Sequence, residues 1–108
     1  MKKDPKVLIA HILQSIDFVE EYSRGIEKQQ FIEDYEKQDA IIRRLEIIGE
    51  AVTSLEDKFK EGYPEIPWQD ISDMRNRLIH EYFSVDLDLV WEVLQKDIPA
   101  LKTNILKI

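Results

Sequence analysis

KQDAIIRRLEIIGEAVTSLEDKFK, residues 37–60, is the longest stretch of the chain that keeps one period throughout. Ile41, Leu45, Ile48, Val52 and Leu55 recur in steps of three and four, the repeat that gathers apolar side chains on one stripe of a helix. The spacing predicts a single amphipathic helix from Lys37 to Lys60. Gly49 sits inside it, where glycine costs about 1 kcal/mol relative to alanine. The sequence alone allows two readings of that glycine, a close helix–helix approach or a tolerated defect.

Working outward, the same period appears on both sides. Upstream, Asp4-Pro5 pairs a capping residue with a proline at the first helical position. Leu8, Ile12, Ile16 and Val19, widened by Ile9 and Leu13, then predict a helix that ends near Arg24-Gly25. A short helical piece is expected around Gln30 to Glu36. Downstream, EGYPEIPW at 61–68 breaks the pattern, because Pro64 and Pro67 exclude continuous helix. A third long helix is expected from Trp68 towards Glu81, and a fourth from Asp86 to the end, kinked or restarted at Pro99. No period-2 strand pattern of useful length occurs. The expectation is an all-α bundle of four to five helices in one domain, residues 1–108, with a radius of gyration of roughly 13 Å.

Composition narrows the function. Cysteine is absent, which excludes disulfides, thiolate catalysis and cysteine-type zinc sites. MKKDPKVLIA does not read as a signal peptide, and no apolar run approaches the ~18 residues that span a bilayer. A soluble, cytoplasmic protein without membrane attachment is expected. Lys and Arg number 15 against 22 Asp and Glu, so the net charge is 15 − 22 = −7. Binding nucleic acid by bulk charge is therefore disfavoured, and any such reading needs a local basic feature. The two histidines, His11 and His80, fall in separate helices without metal-ligand spacing; no metal or cofactor is called for.

WQDISDMRNRLIHEYF at 68–83 carries the chemistry. Ile71, Met74 and Leu78 form its core stripe. At about 100° per residue, Asn76 and His80 lie roughly 150° or more from that stripe and are neighbours on one ridge. Arg75 and Tyr82 flank the stripe. Arg75 and His80 are about 140° apart on an ideal helix, so a shared site requires unwinding near Ile79–Glu81 or completion by a second chain. Histidine titrates near neutrality and can move protons, while a guanidinium matches charge developing on a phosphoryl group. This combination suits metal-free cleavage of RNA by attack of the 2′-hydroxyl. One His per subunit does not readily act as both base and acid, which makes a dimer the natural unit.

Arg75-Asn-Arg-Leu-Ile-His80-Glu-Tyr82 fits the R-x4-6-H-x-Y motif of HEPN ribonucleases, with the shortest allowed spacing. Together with QDAIIRRLEIIGEA at 38–51, PEIPWQDISDMRNRLIHEYF at 64–83 and the following VDLDLVWEVLQKDIPAL, the chain resembles the HepT branch of that superfamily over nearly its whole length. The resemblance implies a HEPN-type bundle and the toxin of a two-gene, type VII-like toxin–antitoxin module, a metal-independent endoribonuclease. It implies catalysis by Arg75 and His80, and assembly as a homodimer or larger. The implied partner is a minimal, MntA-like nucleotidyltransferase that transfers AMP to Tyr82. Asn76 occupies the polar position after the motif arginine, and Asp39 is a candidate to orient Arg75 or His80 across the bundle. Trp68 and Trp91 are expected to anchor the core. Two other readings stay open: a non-catalytic helical subunit that docks and is modified by such a nucleotidyltransferase, and a structural oligomerisation module.

Overall fold

Asp4 starts the first helix by accepting a 2.9 Å hydrogen bond from the Lys6 amide, and Pro5 takes the first helical position. This helix, α1, spans Pro5–Ser23. The chain leaves it through Gly25, whose φ of +75° lies in the left-handed region that favours glycine. The computed structural model describes residues 4–81 and 84–108, and all regular structure among them is helical. The short α2 (Lys28–Glu33) ends at Asp34, which also opens α3 (Tyr35–Ser54) by accepting from the Lys37 amide at 3.0 Å. Then come α4 (Asp57–Glu61), α5 (Trp68–His80), α6 (Leu87–Glu92), a π turn (Val93–Asp97) and α7 (Ile98–Ile105).

The architecture is the expected all-α bundle. Its four long members are α1, α3, α5 and the helical stretch 87–105, and the Cα radius of gyration is 13.7 Å. Central to the bundle is α3, packed on α1 along one flank and on α5 along another. Ile41, Leu45, Ile48 and Val52 are wholly buried and share one core with Ile12 and Ile16 of α1 and with Leu101 and Ile105 of α7. Each such side chain contributes about 1.5–3 kcal/mol through burial.

Two elements have bounds other than those expected, and the restart at Pro99 is the expected one. The long helix stops at Ser54, not Lys60, because Leu55 and Glu56 adopt extended backbone with ψ of 140° and 148°. Leu55 keeps its place in the apolar stripe by turning inward, so the period survives where the helix does not. The short piece occupies Lys28–Glu33, earlier than Gln30–Glu36, since Asp34 caps the next helix and thereby ends this one. Near Pro99 the chain restarts after a π turn, in which the Ile98 amide donates to the Val93 carbonyl. Proline offers no amide hydrogen, and its ring would press on the carbonyl four residues back; the wider turn accommodates both.

Cross-ties complete the frame. Trp68 is buried at the start of α5 and donates its indole N–H to the Lys60 and Tyr63 carbonyls at 3.2 and 3.1 Å. Trp91 is half-buried, its ring centroid 5.7 Å from that of Phe31. Gln38, buried on α3, donates to the Phe31 and Ile32 carbonyls and so satisfies the end of α2. Lys102 of α7 reaches Glu20 of α1 at 2.7 Å, and that bond is the main cause of its raised pKa.

Candidate active site

The sides of α5 have different surroundings. Its stripe faces inward, with Trp68 and Leu78 buried and Ile71 and Met74 half-buried. On one flank Ser72 and Arg75 meet α3. The other flank borders a groove of 540 Å³ against the C-terminal helices, with Met74, Val93 and Leu101 in its lining and Asp70, Asp73 and Asp97 beside them. Asn76 and His80 stand exposed on the remaining side, four residues apart and so neighbours on one ridge. For Ile71, Met74, Leu78, Arg75, Asn76 and His80 the predicted faces are the observed ones.

Arg75 links the packed flank to the exposed ridge. Its stem lies against Gly49 of α3, and a Cβ built on Gly49 would overlap the Arg75 Cβ. The Arg75 Nε–H is shielded from solvent and has no hydrogen-bond partner among the described residues. At the far end, Nη1 donates to the Asn76 side-chain oxygen at 2.8 Å. A long side chain thus carries its charge from the helix seam to the ridge, next to the residue one turn before His80.

The helix does not unwind before His80. It remains α-helical through that residue, and the Glu81 amide still donates to the Arg77 carbonyl at 2.9 Å. The backbones of Arg75 and His80 therefore stay about 140° apart around the axis and about 7.5 Å apart along it. Asp39 is exposed on α3, ten residues before Gly49 and so about 15 Å from it along the helix. It forms no hydrogen bond or ion pair with Arg75 or His80 among the described residues. Tyr82 lies outside the described residues.

Neighbouring features differ in chemistry from the ridge. Arg77 borders the groove and stands 3.9 Å from Glu81, and three aspartates share that rim. A groove with an apolar floor and that many carboxylates is poorly suited to a phosphodiester, so the ridge is the better candidate. Arg43 pairs with Glu46 of the same helix at 3.5 Å, and Arg44 stacks over Phe18 of α1 at 4.2 Å from the ring centroid. Among the described residues, no group of three or more His, Asp or Glu side chains could hold a metal ion. No helix among them is long and apolar enough to cross a membrane. Sequence reasoning did not assign Gly49 to the site. Its place inside an otherwise regular period was the available signal.

The chain is similar to known proteins over nearly its whole length. The family model described as "Ribonuclease HepT-like" matches residues 12–108. A Methanocaldococcus jannaschii protein named "Gamma-glutamylcyclotransferase and putative RNase" is 51% identical over all 108 residues, which make up 49% of its own length. The chain thus spans about half of that relative. A "Putative RNase" of Caldanaerobacter subterraneus is 42% identical over 98% of this chain and 95% of its own. The "Probable ribonuclease HepT" of Thermococcus cleftensis is 43% identical over 94% of this chain and 93% of its own. No solved structure matches.

Proposed function

The chain belongs to the HepT-like ribonuclease family, and on that footing we propose that it is an endoribonuclease toxin whose site joins Arg75 and His80 of two copies. The observation that carries this reading is the 2.8 Å bond from Arg75 Nη1 to Asn76, which brings the guanidinium to the exposed ridge of His80. Continuous helix through His80 leaves one imidazole on the ridge of each copy, and the separate roles of base and acid then call for a second copy.

In the proposed reaction the RNA 2′-oxygen attacks the adjacent phosphorus and loses its proton to His80 of one copy. The bond from phosphorus to the 5′-oxygen breaks, and His80 of the second copy protonates that leaving oxygen. Arg75 stabilises the charge that builds on the non-bridging oxygens. The products are a 2′,3′-cyclic phosphate and a 5′-hydroxyl, and no metal enters. Asn76 holds the guanidinium in place. The proposed antitoxin is a minimal nucleotidyltransferase of a type VII-like module. Its reaction joins the Tyr82 oxygen to the α-phosphorus of ATP and releases pyrophosphate. Two residues beyond His80, the attached AMP would set negative charge where the RNA backbone must bind.

Purified protein shown by intact mass to carry no AMP is the material for the test, with total RNA as substrate and excess EDTA present. Wild type is expected to cleave. His80→Ala is expected to lose at least about a hundredfold in rate at unchanged helical content, the usual weight of a general acid or base. Cleavage undiminished in His80→Ala rejects the proposal. The net charge of −7 favours one second reading, a non-catalytic subunit modified by the nucleotidyltransferase. A complex that modifies Tyr82, with no cleavage by the free protein, would support it.

A further inference from the structure

We propose that Gly49 is a positioning residue for Arg75: by lacking a side chain on α3, it lets the arginine stem lie in the helix seam and fixes where the guanidinium emerges. What the guanidinium does once there rests on the ribonuclease reading above; the positioning itself rests on packing.

A Cβ on Gly49 would overlap the Arg75 Cβ, approach its Cγ to 2.8 Å and meet the Ile71 carbonyl oxygen at 3.2 Å. None of these atoms is the free end of a flexible chain. Rotation about χ1 cannot move a Cβ, and the Ile71 carbonyl is backbone of α5 itself. Relief therefore requires α5 to shift as a body, or α3 to retreat from it.

The seam is tied one turn away, which makes such a shift consequential. Thr53 Oγ1 lies 2.9 Å from the Gly49 carbonyl oxygen and 3.1 Å from Ser72 Oγ. With one hydrogen on each hydroxyl, Ser72 donates to Thr53, and Thr53 donates to the Gly49 carbonyl. This relay pins α5 to α3 at the turn preceding Arg75. The arginine stem thus lies against the bare backbone of Gly49, with the Ser72–Thr53 tie between the two helices one turn away. Only the outer end of the guanidinium is left to reach Asn76. Glycine is a poor helix former, so its presence in mid-helix is matched here by a contact that alanine cannot make.

The full-length protein can be tested as Gly49→Ala beside Val52→Ala, which opens a void on the same helix without approaching Arg75. Two readouts are needed. One is hydrogen exchange of the Arg75 Nε–H by nitrogen-15 NMR, its signal identified by loss in Arg75→Lys. The other is single-turnover cleavage. In Gly49→Ala, exchange is expected to speed up at least about tenfold and the rate at saturating RNA to fall about tenfold, with KM within about threefold. Val52→Ala, although less stable than wild type, should keep both values within about threefold. Wild-type exchange and rate in Gly49→Ala, or equal losses in Val52→Ala, would overturn the proposal. If Gly49→Ala does not fold, the Thr53→Val, Ser72→Ala double variant takes its place; faster Nε–H exchange at wild-type helical content supports positioning by the seam, and unchanged exchange overturns it. A wild-type protein that cleaves no RNA would sink the ribonuclease reading, and the exchange measurement would still decide the role of Gly49.

Discussion

Asn76 accepts from Arg75 Nη1, so deleting its side chain releases a guanidinium without removing the charge. Asn76→Ala is therefore expected to slow RNA cleavage by about tenfold, roughly 1.4 kcal/mol of transition-state stabilisation, well short of the loss in His80→Ala. Equal losses in the two variants, measured by single-turnover kinetics, would mean that Asn76 has a larger part than holding Arg75. Arg75→Lys should lose more than Asn76→Ala, because an ammonium is a point charge without the planar fork. Much of this site is legible in the chain itself. Helical period alone puts Asn76 and His80 on one outward ridge and Arg75 on a flank. Period fixes where a Cβ points but not where the six side-chain atoms beyond it go, so the return of Arg75 to the ridge was not legible. Nor was the orphaned Nε–H, which depends on how closely α3 approaches.

At the next scale, α5 is held at its first residue. The Trp68 indole donates to the carbonyls of Lys60 in α4 and Tyr63 in the loop after it, and phenylalanine would fill much of the same space while leaving both without that donor. Trp68→Phe is expected to lower unfolding free energy by about 1–2 kcal/mol in urea, with the m-value unchanged. A second tie joins the termini of the bundle. Lys102 has its pKa raised above 10.5, first by its hydrogen bond to Glu20, so its contribution is complete below 10.5 and fades as pH climbs through the higher folded value. Lys102→Met should reduce Tm slightly at pH 7, and the difference from wild type should shrink above pH 10.5. A difference that persists there would point to lost packing. Two helix starts were readable, since Asp4 and Asp86 each accept a backbone N–H where a helix was expected to begin, whereas Asp34, which does the same, was expected inside a helical piece. The end of α3 was not readable, because Leu55 satisfies the apolar period equally well in a helix or in an inward turn.

For the whole molecule, charge sets how RNA can be held. A chain carrying −7 must gain its affinity from few, well-placed cations. If the proposed site, with one Arg75 from each of two copies, supplies the main phosphate contacts, log K for single-stranded RNA should fall against log salt with a slope of about −1.4. Fluorescence anisotropy with the His80→Ala protein, which leaves the RNA intact, measures that slope. A slope several times steeper would require a broad basic track and would count against a site this compact. Residues distant in sequence decide such matters of shape, which is why the 540 Å³ groove beside α5 could not have been anticipated from local patterns.

The chain holds two tryptophans, and they sit in separate seams: Trp68 where α5 leaves the loop, Trp91 against Phe31. Intrinsic emission is consequently a two-channel optical reporter. Trp68→Phe leaves a dye-free readout of the α2–α6 contact, and Trp91→Phe leaves one for the base of α5. Neither ring belongs to the Asn76–His80 ridge. A ligand that docks on the ridge without moving α5 should therefore pass unseen in both channels, whereas one that tilts the helix should register in the Trp68 channel alone.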